Sequence, residues 1–212
     1  MKIDGIIFDL DGTLWNCNEQ VYDSWCKVIA ERPDIDKVLT REEMASAMGL
    51  NEQEFTAKLF PEQSIKVREE IFARCCEIEN KLLSEVGGKA FDGMTDALRE
   101  LSAHHSLAIV SNCGKGYIEA YLASMGTADC FTDYENPGRT GLSKAGNIRL
   151  VAERNGFRNP VYVGDTIWDK NSADEAGVPF IYAAYGFGDI EGCEHVINTP
   201  YELPCLIALM EG

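Results

Sequence analysis

Residues 6–16, IIFDLDGTLWN, place Asp9 and Asp11 two residues apart at the end of an apolar run. Ile3 to Leu10 reads as a buried strand, short, rich in β-branched residues and ended by Gly12. Two carboxylates at the tip of such a strand need a reason. Asp-Gly alone could be turn punctuation, so the decision rests on what the rest of the chain brings to the same place.

The rest of the chain alternates. After Trp15 no β-rich run follows until about Glu85, and segments 18–31, 41–48, 51–59 and 62–85 read as helices. Thr40 and Glu43 form a capping box at the start of the second. Gly87-Gly88 marks a return. A helix then carries Met94, Ala97, Leu98 and Leu101 on one face, at i, i+3, i+4 and i+7. Leu107 to Val110 reads as a strand, Gly116 to Met125 and Ser143 to Asn155 as helices, and Pro160 to Val163 as a strand closed by Gly164-Asp165. Helix 169–176, strand 178–183, a short strand at 195–197 and a helix from about Tyr201 complete the chain. Strands separated by helices predict an α/β fold with a doubly wound parallel sheet. The predicted core is 1–15 and 89–212, with 16–88 as an inserted α-helical cap domain.

Composition narrows the function. Of 212 residues 45% are hydrophobic, as in a globular chain. No apolar stretch reaches the roughly 18 residues of a membrane span, and the opening MKIDGIIFDLDG has neither the charge pattern nor the apolar length of a secretory leader. A cytoplasmic location and no membrane partner are the expectations. Nineteen basic against 35 acidic residues give a net charge of −16, a field that repels nucleic acid. Any anion site must therefore be locally positive, through a metal, a lysine or helix N-termini. Eight cysteines without a Cys-x-x-Cys pair are expected to be free thiols, most of them small core residues.

In an open parallel sheet, ligands sit beyond the carboxyl ends of the strands. The first strand delivers Asp9 and Asp11 to that rim, and strand 107–110 delivers Ser111-Asn112. Strand 161–163 delivers Gly164-Asp165-Thr166, with Asp169 following, and Lys144 opens the helix between the last two strands. The set is coherent for phosphoryl transfer. Asp9 and Asp165 can offer carboxylates to a hard cation such as Mg²⁺. An aspartate can act as nucleophile, and a second can protonate the leaving oxygen and then activate water. Ser111, backbone N–H groups and Lys144 can hold phosphoryl oxygens as charge develops.

DLDGT at 9–13, a serine after an apolar strand, a downstream lysine and GDT-x-x-D at 164–169, in that order, resemble the haloacid dehalogenase superfamily. Over nearly the whole chain they are similar to its phosphoglycolate-phosphatase-like branch. The resemblance implies a Rossmann-like core and a Mg²⁺-dependent phosphatase that hydrolyses a small phosphomonoester through an aspartyl phosphate. It implies Asp9 as nucleophile and metal ligand, and Asp11 as general acid/base with its carbonyl on the metal. Asp165 would ligate the metal, with Asp169 supporting it. Gly12, Thr13, Ser111, Asn112 and Lys144 would bind the phosphoryl group. The implied partner is a small phosphorylated metabolite, and a monomer is expected.

Two positions depart from that pattern. Lys144 is followed by alanine where many relatives have proline, and Trp15-Asn16 stand where many have an aspartate. Trp15 predicts an unusual cap contact. The cap chooses the substrate. Met48-Gly49-Leu50-Asn51 resembles its specificity loop, while Arg41, Lys58, Arg68 and Arg74 are candidates to meet an anion, each weighed against a solvated helix charge. Cys113 reads as an inert neighbour of the phosphate-binding pair. His104, His105 and His195 read as surface residues, and Tyr182, Tyr185 and Phe187 as packing. YGFG at 185–188 lacks the spacing of a dinucleotide loop. Alternatives are a phosphosugar mutase of the β-phosphoglucomutase type and a non-catalytic scaffold. A dehalogenase is disfavoured by Asp11.

Overall fold

The computed structural model describes residues 2–212. In chain order the elements are β1 (Gly5–Phe8), β2 (Trp15–Asn16), α1 (Asn18–Ala30), α2 (Arg41–Ala47), α3 (Glu52–Leu59), α4 (Ile65–Val86), β3 (Lys89–Ala90), α5 (Met94–Ser102) and β4 (Ser106–Val110). They continue with α6 (Tyr117–Ser124), β5 (Phe131–Glu135), α7 (Pro137–Thr140), α8 (Lys144–Asn155), β6 (Pro160–Gly164), α9 (Ile167–Ala176), β7 (Phe180–Ala183), β8 (His195–Ile197) and α10 (Leu203–Glu211).

Six strands form one parallel sheet in the order β5-β4-β1-β6-β7-β8. The sheet is the doubly wound α/β arrangement expected from the alternation of strands and helices. Both faces of β1 are covered, as a parallel sheet requires. Ile6 and Phe8 join one apolar cluster, while Ile7 points the other way to Ile148, Val151, Tyr162 and Ala173. The chain leaves β1 for β4 and β5 on one side, then crosses to β6 on the other, so the switch point lies beside β1. Phe8 is level with Ile109 and Val163. Asp9, Ser111 and Asp165 follow these within two residues and emerge together.

Helices α1 to α4 leave the sheet between β2 and β3, which pair antiparallel as a two-stranded ribbon, Trp15 opposite Ala90 and Asn16 opposite Lys89. α4 packs against α1 and α6. α4 begins at Ile65, later than the expected 62, because Ser64 caps it by accepting from Val67 N–H. The edge strand β5 has no counterpart among the expected strands. Its FTDYE exposes Thr132 and pairs Asp133 and Glu135 with Arg154 of α8 instead of presenting an apolar run.

Three of the eight cysteines (Cys17, Cys75 and Cys130) are buried, four are half-buried and Cys205 is exposed, all as free thiols. The expectation of mostly core cysteines therefore holds for fewer than half. His105 is not a surface residue: its ring is largely buried between Leu101 O and Glu211 Oε1, 3.2 Å from the latter.

Candidate active site

Asp9, Asp165 and Asp169 are buried, and one carboxylate oxygen of each lies within 4.8 Å of the others. Lys144 reaches into this cluster from the first turn of α8. Its Nζ donates to Asp9 Oδ1 at 2.7 Å and, still more closely, to Asp169 Oδ1. A lysine in the first turn opposes the helix dipole, so its place here comes from the carboxylates. Burial alone would lower its ammonium, but Asp169 and Asp9 more than offset this and hold it above its ordinary value. Three carboxylates against one ammonium leave the buried cluster short of positive charge. Burial and Asp169 push Asp9 up to about 7 despite Lys144, and burial with Asp169 and Asp9 pushes Asp165 well up. A set of hard oxygen donors with uncompensated buried charge fits a divalent cation such as Mg²⁺.

Asp165 is pinned on both sides. Thr13 Oγ1 donates to its Oδ1 at 3.2 Å, and Phe187 N–H donates to its Oδ2 at 2.7 Å. Gly12 runs past it at φ +83°, where a Cβ would come within 2.1 Å of Asp165 Oδ2, so only glycine fits. A Cβ on Gly186 would lie 2.3 Å from Asp165 Cβ. The YGFG segment is thus the loop that wraps Asp165, with Tyr185 OH donating to Thr13 O at 3.0 Å. Its glycine spacing fits no dinucleotide motif, and sequence gave no other sign of this use. Asp169 works twice: Oδ1 takes Lys144, while Oδ2 accepts from Thr166 N–H at 2.9 Å and Thr166 Oγ1 at 2.6 Å, closing a capping box on α9.

Asp11 is held through one oxygen. Its Oδ1 accepts from Tyr117 OH at 2.8 Å, Trp15 Nε1 at 3.0 Å and Cys17 Sγ at 3.1 Å. Burial raises the Asp11 carboxyl above its usual range, and these donors pull back against the rise. Trp15 meets the expected cap only at its end, where a Cβ on Gly88 would come within 2.7 Å of the ring. Its ring is buried edge-on to Tyr117 and Tyr121 of α6, at centroid distances of 5.7 and 5.1 Å, and its indole points to Asp11. Tyr117 and Cys17 had no motif to mark them. Asn16 accepts from Asn18 N–H at 3.1 Å at the entry to α1.

Asp9, Asp11, Ser111 and Asn112 line one cavity of about 70 Å³ together with Cys113, Tyr117 and residues of the inserted helices. Met48, Gly49 and Leu50 of the anticipated specificity loop line it, and Asn112 Nδ2 donates to Gly49 O at 3.0 Å, tying that loop to the sheet rim. Thr13 is turned to Asp165, and Lys144 reaches its carboxylates from an adjoining groove. Burial pushes the Cys113 thiol up, which keeps it unreactive. None of the four cap cations lines the cavity. Arg41 pairs with Glu19 and lies over the Tyr22 ring, Arg74 pairs with Glu77, and Lys58 and Arg68 bond the carbonyls of Ser46 and Gln63. Glu79 of α4, which sequence reading passed over, does line it.

Solved structures share this fold end to end. A predicted phosphatase from Clostridium acetobutylicum superposes with TM-score 0.83 at 19% identity, over 100% of both chains. A haloacid dehalogenase-like family hydrolase from Streptococcus pneumoniae gives 0.83 at 18%, over 96% of this chain and 97% of that one. A mutant of CbbY from Rhodobacter sphaeroides, in complex with xylulose-1,5-bisphosphate, gives 0.82 at 20%, over 95% and 96%. A comparison with curated proteins returned no match. The model of the haloacid dehalogenase-like hydrolases matches residues 6–183, most of the chain, and the chain belongs to that family.

Proposed function

We propose that the protein is a Mg²⁺-dependent phosphatase that hydrolyses a small phosphomonoester through an aspartyl phosphate on Asp9. The observation that carries this reading is the placement of Asp9 and Asp11 at one cavity, with Lys144 on Asp9 and three donors on Asp11. The C. acetobutylicum neighbour, described as a predicted phosphatase, agrees with it.

In this reading Asp9 attacks phosphorus, forming a new O–P bond as the ester O–P bond breaks. Asp11 gives its proton to the leaving oxygen. It then takes a proton from water, whose oxygen attacks the same phosphorus and releases Asp9 and inorganic phosphate. Burial raises the Asp11 carboxyl, which favours the proton it gives in the first step. Lys144 fixes the Asp9 carboxylate and balances charge. Ser111 and the Asn112 backbone form the phosphate-facing rim, with Gly12 and Thr13 behind it against Asp165. Asp9, Asp165 and the Asp11 carbonyl would hold Mg²⁺ with Asp169 in support; the ion would keep the carboxylates ionised and offset charge on the phosphoryl oxygens. Residues 16–88 act as the cap that selects substrate over the core of 1–15 and 89–212. The free thiols suit a cytoplasmic site of action.

Hydrolysis of p-nitrophenyl phosphate with Mg²⁺ tests the reading. Asp9→Asn should abolish turnover while its circular dichroism stays that of the wild type. Undiminished turnover in the variant refutes the mechanism.

A further inference from the structure

Glu79 sits on α4 at the cap side of the cavity, 6% exposed. One carboxyl oxygen, Oε2, accepts from Trp25 Nε1 at 2.9 Å. The other has no protein donor among the described residues, although the side chain lines the cavity. That oxygen is not sealed off by protein atoms, so it is open to a donor that enters the cavity. Its surroundings define what that donor is. Trp25, Phe55 and Phe72 lie around it with mutual centroid distances of 4.9, 6.1 and 6.5 Å, and all three line the cavity. No lysine, arginine or histidine lines it. Lys115 lines a separate groove.

Resting on the phosphatase reading, we propose that the cap end of this cavity binds a cationic amine, so that the substrate is a short aminoalkyl phosphate. Aromatic faces and a carboxylate together attract an ammonium. The same wall repels a second carboxylate or phosphate, which would be desolvated there without a counter-charge. The approach agrees. The adjoining groove carries Glu52, Glu54, Glu69 and Glu175 along its sides, with Lys144 as its lysine. A dianionic ester meets less repulsion there if its far end is positive. Burial pushes Glu79 up to about 8, so an arriving ammonium would ionise it and release a proton.

The test compares kcat/KM of the wild type with Mg²⁺ on O-phosphoethanolamine, ethyl phosphate, glycerol 3-phosphate and phosphoglycolate, with p-nitrophenyl phosphate in parallel. The amine should lead each of the other three by at least about tenfold, a difference carried by KM. Glu79→Gln, which keeps an acceptor for Trp25, should bring the amine to within about threefold of ethyl phosphate. A lead for phosphoglycolate, or parity between glycerol 3-phosphate and the amine, overturns the proposal while leaving the phosphatase reading intact. Failure to hydrolyse any ester, the aryl phosphate included, overturns both. The wild-type panel decides the matter even if the variant does not fold.

Discussion

Asp11 takes three donors on a single oxygen, which fixes its rotamer and leaves the second oxygen toward the cavity chemistry. Glu79 is its counterpart on the cap, a carboxyl with one donor and little solvent. Burial is the main reason it rises to about 8 from an ordinary 4.5, with Trp25 pulling the other way. The sign of its effect on stability follows from linkage. Between pH 4.5 and 8 the folded protein keeps this proton and the unfolded chain has lost it. Folding is therefore progressively disfavoured as pH rises through that window, on the order of 1.4 kcal/mol per unit. Glu79→Gln removes the effect. Its melting temperature minus that of the wild type should be clearly larger at pH 8 than at pH 5; an equal difference at both would show that Glu79 is not held protonated. At this scale legibility was uneven. Asp9, Asp11, Asp165 and Lys144 could be read because their chemistry is tied to fixed places after strands. Trp15, Cys17, Tyr117 and Glu79 act only through contacts between distant segments, and a tyrosine on α6 or a glutamate within α4 looks in sequence like any helix residue.

The starts of α8 and α9 do more positioning than the strands do. α8 begins with Ser143 accepting from Gly146 N–H, which leaves Lys144 in the first turn pointing at the sheet rim. α9 begins with the Thr166–Asp169 capping box, so the carboxylate that satisfies the helix end is also the one that holds Lys144. Thr166→Ala removes the hydroxyl that both accepts from Asp169 N–H and donates to Asp169 Oδ2. Loss of an N-cap costs about 1 kcal/mol, which lowers the melting temperature of a chain this size by about 2–4 °C. An unchanged melting temperature would mean that the box contributes nothing. Elements whose termini carry such chemical marks were legible. β5 was not: it is an edge strand whose acids face α8, where Arg154 bridges Asp133 Oδ1 at 2.6 Å and the buried Glu135 Oε1 at 2.8 Å. The β2–β3 ribbon, two residues per strand, is also too short for any periodicity to show.

Across the whole molecule the net charge of −16 meets a site whose function needs anions to approach. The sheet resolves part of that conflict by topology, since strands on either side of the switch point direct their acids to one place and α8 supplies the lysine. The alternation of elements made this architecture legible in the sequence, because each crossover needs a helix and each buried strand an apolar run. The depth of the acid cluster was not legible, because it depends on how distant core segments, Gly12-Thr13, Lys144 and the 186–188 loop, close around Asp165 and Asp169. Asp9, Asp165 and Asp169 face one ammonium, and the remaining negative charge weakens the folded state until a cation joins it. A ligand that binds only the folded protein stabilises it by about 2.7 kcal/mol at 100 times its Kd. For a chain of this length that is about 5–10 °C. Titrating Mg²⁺ into the wild type should raise its melting temperature by that order at constant ionic strength. Asp165→Asn should start at or above the wild-type value without metal, because it removes a buried charge, and should lose most of the Mg²⁺-dependent rise. A rise as large in the variant as in the wild type would place the cation elsewhere on this acidic surface and remove the argument that the buried aspartates hold it.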